Sequence, residues 1–284
     1  MKLGYSKTQS HLRAHSLGLQ VVDGYLDGAT LAELYQALLP RTGIHFQYLF
    51  YFPVERVGEP AVTARLREYV GPLADLLIAH FVRLREVLPP LAPGALFELW
   101  TLNMGRSDDD RVVPHFDHLP GTIGAETLCP TWSTILHVGP VTGIVGGATA
   151  ICCEQPVPDR VLSGLMRWQP AAEARALSRQ WIDVPQRSNR LVIFDGSLPH
   201  FVEPVSEAPD GNRITLLVNV WDELPEGYGM LNECCRASPE EFRIYEKLDA
   251  AQLEALYGIA QTLEPAELAT MLGVLGRLAQ GGGG

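Results

Sequence analysis

The sequence predicts an α+β protein in which a strand-rich sandwich or barrel is flanked by helices at both ends. Three observations predict it. Apolar residues recur at helical spacing in the first third of the chain and again at its end. Between them, after a proline cluster at Pro89, Pro90 and Pro93, the pattern changes to short apolar runs separated by Gly and Pro. Several short runs with turn residues between them read as a sandwich or barrel.

The first element lies in residues 19–39 (LQVVDGYLDGATLAELYQALL), which read as a short strand, an Asp-Gly turn and an amphipathic helix with Leu31, Leu34, Leu38 and Leu39 on one face. Ile44 to Tyr51 is aromatic-rich and reads as a strand. Ala61 to Val87 reads as one long helix, with Leu66, Val70, Leu73, Leu77 and Phe81 apolar. The core strands are then Leu96 to Leu102, Trp132 to Val138, Ile144 to Cys152, Arg190 to Phe194 and Ile214 to Trp221. Asp159 to Gln180, rich in Ala, Leu and Arg, reads as a helix inserted between core strands; its expected role is packing rather than that of a lid. At Ser238-Pro239-Glu240-Glu241 a capping box with Pro at the first helical position opens the C-terminal helices. Leu268, Met271, Leu272 and Leu275 form a stripe that either covers the core, the default, or joins two copies in a homodimer. With no repeat and no linker, the expected organisation is one domain over 1–284, with helical support over about 1–93, the core over about 94–224 and helices over about 225–280.

The 284 residues are long enough to bury a sizeable core without disulfides or a structural metal. A formal charge of -11 with no basic run argues against a nucleic-acid partner and against a polybasic membrane patch. Cys129, Cys152, Cys153, Cys234 and Cys235 make neither a zinc ribbon nor a disulfide framework, and they read as reduced, buried thiols of a cytoplasmic protein. No signal peptide and no apolar run long enough to span a bilayer is visible.

The chemistry sits in two short segments. In Val113-Pro114-His115-Phe116-Asp117-His118, alternate side chains of an extended chain share a face, so His115 and Asp117 can point at one ion. Leu198-Pro199-His200-Phe201-Val202 supplies a second histidine just after the strand Arg190 to Phe194. Two histidines and one carboxylate cover one face of an octahedral metal and leave three positions open, the arrangement of non-haem Fe(II) oxygenases. An HxD pair alone is a weak signal in a chain with eight histidines.

The segment beyond His200 adds weight. Thirteen residues on, Arg213 opens an apolar strand. Alternation puts Arg213, Thr215, Leu217, Asn219 and Trp221 on one face and Ile214, Leu216, Val218 and Val220 on the other. The second face is wholly apolar and must be buried. If the first lines a barrel interior, Arg213 is a cation in a pocket and calls for an anion, which a metal-chelating dicarboxylate would supply through a bidentate pair.

With these residues in place, the chain resembles the Fe(II)/2-oxoglutarate-dependent dioxygenases, in particular their prolyl 4-hydroxylase-like branch. Four stretches carry the resemblance: VVDGYLDGATLAELYQAL near the start, HFD at 115–117, GGAT at 146–149, and PHFVEPV through GNR at 199–213. The resemblance implies a double-stranded β-helix, a jelly-roll or cupin-like core with flanking N- and C-terminal helices. It implies Fe(II) on His115, Asp117 and His200, and Arg213 on the distal carboxylate of 2-oxoglutarate with Thr215 as helper. It also implies a close backbone approach at the GGAT glycines. Two family tyrosines are replaced, one by Val138 and one by Asn103, which implies a rearranged cosubstrate pocket with Asn103 as a contact.

The implied reaction couples oxidative decarboxylation of 2-oxoglutarate by O2, giving succinate and CO2, to hydroxylation of an unactivated C–H bond. Family halogenases lack the carboxylate ligand, so Asp117 argues against halogenation, while desaturation, epoxidation and cyclisation stay open. The acidic composition and absence of peptide-binding repeats favour a small-molecule substrate, an amino acid or natural-product intermediate. A protein or peptide hydroxylase is the alternative, and a non-catalytic jelly-roll binding protein the third reading.

Overall fold

In the computed structural model, Asp27 opens the first helix by accepting hydrogen bonds from the backbone N–H groups of Ala29 and Thr30, as an N-cap aspartate should. Residues 18–39, 51–117, 129–140, 143–155, 157–165, 167–209 and 211–222 are described. Most of the strand expected at Ile44 to Tyr51, the C-terminal helices with their capping box and stripe, His118, Cys234 and Cys235 lie outside them. The strands are β1 (Gln20–Asp23), β2 (Tyr51–Pro53), β3 (Leu96–Met104), β4 (Arg111–Val112), β5 (Trp132–Gly139), β6 (Val145–Gly146) and β7 (Thr149–Cys152). They continue with β8 (Gln169–Pro170), β9 (Trp181–Val184), β10 (Arg190–Asp195), β11 (His200–Val202), β12 (Val205–Glu207) and β13 (Arg213–Trp221). The helices are α1 (Gly28–Leu38), α2 (Pro60–Val70), α3 (Leu73–Val87), α4 (Asp159–Gly164) and α5 (Ala171–Ala176).

The described residues fall into two units. The first takes in 18–39, 102–117 and 129–219. Here β1, β10, β5 and β13 lie side by side in one sheet, continued by the end of β3, and β11, β7 and β9 form a second. Every strand pair with a resolved register is antiparallel, β1 on β10 and β10 on β5 in the larger sheet, β11 on β7 and β7 on β9 in the smaller. Ile135, Val192 and Phe194 of the larger sheet share one buried cluster with Ile151 and Val184 of the smaller. The two sheets therefore close on a common core, as the alternating pattern predicts. The outer side of the small sheet is covered as well: Ala150 and Phe201 pack with Ala174 of α5 and with Val112.

The second unit, over 51–101 and 220–222, pairs β2 with the start of β3 and packs α2 with α3. Leu66, Leu77, Phe81 and Leu84 are buried, and Phe81 stacks on Phe97 at 5.5 Å. Trp221 Nε1 donates to Glu98 Oε2 at 2.9 Å.

Three element expectations are corrected, the first being the strand expected over Ile144 to Cys152, which is two strands, β6 paired with β12 and β7 paired with β11 and β9. The helix expected over Ala61 to Val87 is two helices, because Gly71 adopts a left-handed φ of 60° and Pro72, lacking an N–H, cannot continue α2. The helix expected over Asp159 to Gln180 is two six-residue helices separated by β8, where Pro170 interrupts the helical ladder and Gln169–Pro170 pairs with β4 instead. No described helix is long and apolar enough to cross a membrane.

Candidate metal centre

The first ligand pair is made by backbone pairing. His115 and His200 exchange N–H···O=C bonds at 2.9 and 2.6 Å in an isolated antiparallel bridge. Residues opposed in this way project to the same side. The two imidazole centroids lie 4.4 Å apart. Each ring is then held by the same device: Nδ1 lies 2.9 Å from the Val113 carbonyl in His115 and 3.1 Å from the Leu198 carbonyl in His200, two residues upstream in both cases. A carbonyl only accepts, so each Nδ1 carries the proton and each Nε2 offers its lone pair, the tautomer a metal requires. The His200-Phe201 alternation of the sequence reads out directly, with His200 inward against Phe194 and Phe201 outward against Trp181.

Asp117 completes the group. One ligand atom each from His115, Asp117 and His200 lies within 4.8 Å of the others. Burial, and then the neighbouring His115, push the His200 pKa down to about 4, against the opposing pull of Asp117, so this ring is neutral and ready to ligate at neutral pH. Two imidazole nitrogens and a carboxylate oxygen fit a divalent first-row metal such as Fe(II).

Arg213 stands at the other end of the same inner surface. In the register of β11 on β7, His200 faces Ile151 and Val202 faces Thr149, so Thr149 lies on the His200 side two residues along, about 7 Å away. Arg213 NH2 reaches Thr149 Oγ1 at 3.4 Å, and its Nε donates to the Gly147 carbonyl at 2.9 Å. Met104 Sδ lies 3.8 Å from NH1. Arg213 is 1% exposed, and among the described residues its partners are neutral, with no carboxylate paired to it. Burial alone pushes its pKa down to about 10, which leaves it charged at neutral pH. Thr215, fully buried, donates to the Leu102 carbonyl at 3.4 Å. Asn103 is half-buried on β3, between Leu102 and Met104.

The GGAT stretch is the seat of this arginine. Gly147 has a left-handed φ of 66°, and a Cβ there would come within 2.9 Å of Arg213 Cδ. At Gly146 a Cβ would meet the Pro204 carbonyl at 2.3 Å. Glycine at both positions is a steric requirement, and its consequence is that a backbone carbonyl can reach the guanidinium.

The structure brings His115, Asp117 and His200 together and buries Arg213; four neighbours of these residues had not been singled out from the sequence. Thr149 and Met104 are contacts of Arg213. Ser133 touches Asp117. His137, fully buried on the Ser133 face of β5, pairs through Nδ1 with Gln186 Oε1 and leaves Nε2 without a partner among the described residues. Burial first, and then the Arg213 charge, hold His137 well below its ordinary pKa and keep it neutral. The one signal for them in the sequence is parity, since Ser133, Ile135 and His137 alternate on one face of β5.

No family model and no curated protein sequence matches the chain. Among solved structures it is similar to HygX of Streptomyces hygroscopicus with nickel and 2-oxoglutarate bound, at 14% identity and a TM-score of 0.37 over 72% of this chain and 82% of that one. It is similar to a prolyl-4-hydroxylase of Pseudomonas putida, at 13% identity and a TM-score of 0.38 over 74% of this chain and 95% of that one. AviO1 of Streptomyces viridochromogenes Tue57 matches at 18% identity and a TM-score of 0.41, over 74% and 92%. At this distance the functional reading rests on the residues of the site itself.

Proposed function

We propose that this chain is an Fe(II)- and 2-oxoglutarate-dependent oxygenase that hydroxylates an unactivated C–H bond of a small molecule. The observation that carries the reading is a fully buried, charged Arg213 with no carboxylate partner among the described residues, on the same inner surface as His115, Asp117 and His200. A buried cation without an anion is costly, and a ligand carboxylate offsets that cost. The strand register separates its Thr149 contact from the His200 level by about 7 Å, the length scale of a short dicarboxylate with one end on the metal. Two antiparallel sheets around one core support reading the first unit as a double-stranded β-helix.

In this reading His115, Asp117 and His200 hold Fe(II), and Arg213 receives the distal carboxylate of 2-oxoglutarate with Thr215, Thr149 and His137 around it. Asn103 is assigned to the rim of that pocket. The bound metal and cosubstrate supply the activation of O2 that side chains cannot. The chain's own residues orient the diacid, neutralise its charge and keep water from the guanidinium. The acidic composition supports a small-molecule substrate over an acidic polymer.

Anaerobic addition of Fe(II) and 2-oxoglutarate tests the assignment. The expected result is a visible metal-to-ligand charge-transfer band that is lost in His200→Ala. No band in the wild type would overturn the cosubstrate assignment, and an undiminished band in His200→Ala would overturn the ligand assignment. Succinate release against a panel of amino acids, natural products and proline peptides then separates small-molecule from peptide hydroxylation.

A further inference from the structure

The proposed chemistry leaves Ser133 and Asn219 without a role, although both are polar, each only 2% exposed, and both stand at the metal end of the inner surface. Ser133 Oγ lies 3.1 Å from Asp117 Oδ2 and 2.8 Å from Asn219 Oδ1. A serine hydroxyl carries a single proton, so it cannot donate to both oxygens. A metal-ligating carboxylate accepts, so in the metal reading Ser133 Oγ–H donates to Asp117 Oδ2. The amide of Asn219 has nearly the same shape turned end for end, and turning it brings its NH2 to the Ser133 lone pair.

We propose that Asn219 and Ser133 form a directed donor chain, amide N–H to hydroxyl O–H to carboxylate, that holds Asp117 by Oδ2 and leaves Oδ1 for the metal. They are positioning residues for the carboxylate ligand, and the inference rests on the metal reading above. The comparison within the site supports it. Each histidine ring is oriented by a carbonyl two residues upstream. Asp117 lies beyond the His115 bridge, and among the described residues Ser133 is the side chain that orients it. The three ligands are thus each held by a second partner, two from the local backbone and one from strands β5 and β13 of the larger sheet. Such outer partners set ligand orientation and typically change metal affinity about 10–100-fold when removed.

Co(II) is the probe, titrated into the metal-free protein and followed by its ligand-field absorption and by calorimetry, with the unfolding temperature of each metal-free variant measured alongside. Ser133→Ala is expected to weaken Co(II) binding about 10–100-fold, Asn219→Ala to weaken it less, and Ser133→Thr to restore it. The double variant should lose no more than Ser133→Ala, because both residues act through one bond to Asp117. In an Asp117→Ala background, Ser133→Ala should cost nothing further. Wild-type affinity in Ser133→Ala would overturn the proposal, and so would an equal loss in the Asp117→Ala background, which marks a general structural effect. A wild-type protein that binds no Co(II) would overturn the metal reading itself and this inference with it.

Discussion

Two buried arginines of the first unit solve the same physical problem in opposite ways. Arg190, on β10, faces Asp23 across the β1 ladder and grips it with both ends of the guanidinium, Nε to Oδ1 at 2.7 Å and NH2 to Oδ2 at 3.0 Å. NH1 donates to the Pro185 carbonyl. Arg213 is more deeply buried, yet its contacts are a carbonyl, a hydroxyl and a thioether, all neutral. The chain that pairs one arginine bidentately leaves the other without a carboxylate among the described residues. Buried charge with a built-in partner is architecture; buried charge without one is a place prepared for a ligand. Arg190 ties the edge strand β1 to its neighbour, whereas Arg213 reaches across to Thr149 on the His200 side of the small sheet.

Four experiments break or sharpen this contrast, and the largest effect is expected at the metal. Asp117→Ala removes the proposed carboxylate ligand, and 2-oxoglutarate turnover assayed as succinate should fall by about 10³-fold or more. Next comes Arg213→Met. Losing a buried charge pair costs about 2–5 kcal/mol of binding, so the KM for 2-oxoglutarate should rise about 10²-fold. Thermal stabilisation by the diacid, about 2.7 kcal/mol at a hundred times Kd, should vanish with it. The ligand-free Arg213→Met protein should be as stable as the wild type or more so, since no anion is left behind. Arg190→Met, in contrast, strands Asp23 and should lower stability in urea by about 2–3 kcal/mol, less than a fully broken pair because Arg187 still reaches Asp23. A neutral Arg190→Met together with a destabilising Arg213→Met would reverse the comparison. The smallest effect is expected from Gly147→Ala. A left-handed φ and a 2.9 Å approach to Arg213 Cδ should cost about 1–2 kcal/mol and raise the 2-oxoglutarate KM several-fold.

Legibility in the sequence tracks the range of the interactions involved. Residues 213–221 announce a strand with one wholly apolar face, and Ile214, Leu216, Val218 and Val220 are buried. The HFD and PHF patterns place His115, Asp117 and His200 where they can face one another, because side-chain alternation is a property of two bonds of backbone. The break between α2 and α3 is written at Gly71-Pro72, but an apolar periodicity runs straight through it and masks it, as Leu66, Val70, Leu73 and Leu77 are all buried. The inserted segment at 159–180 reads as continuous helix from composition, yet Gln169–Pro170 pairs with β4, a partner more than fifty residues earlier in the chain.

By itself, then, the sequence determined which side chains share a face of each strand, because that needs only neighbours one and two residues away, while the grouping of His115, Asp117, His200 and Arg213 into one site was what the family resemblance implied. The tertiary structure alone decided that Arg213 leans on Gly147 and Thr149 and finds no carboxylate among the described residues. It also decided that Ser133 reaches both Asp117, sixteen residues back, and Asn219, eighty-six residues on. Those contacts depend on which strands become neighbours, and strand neighbours are chosen by the packing of the two sheets as a whole.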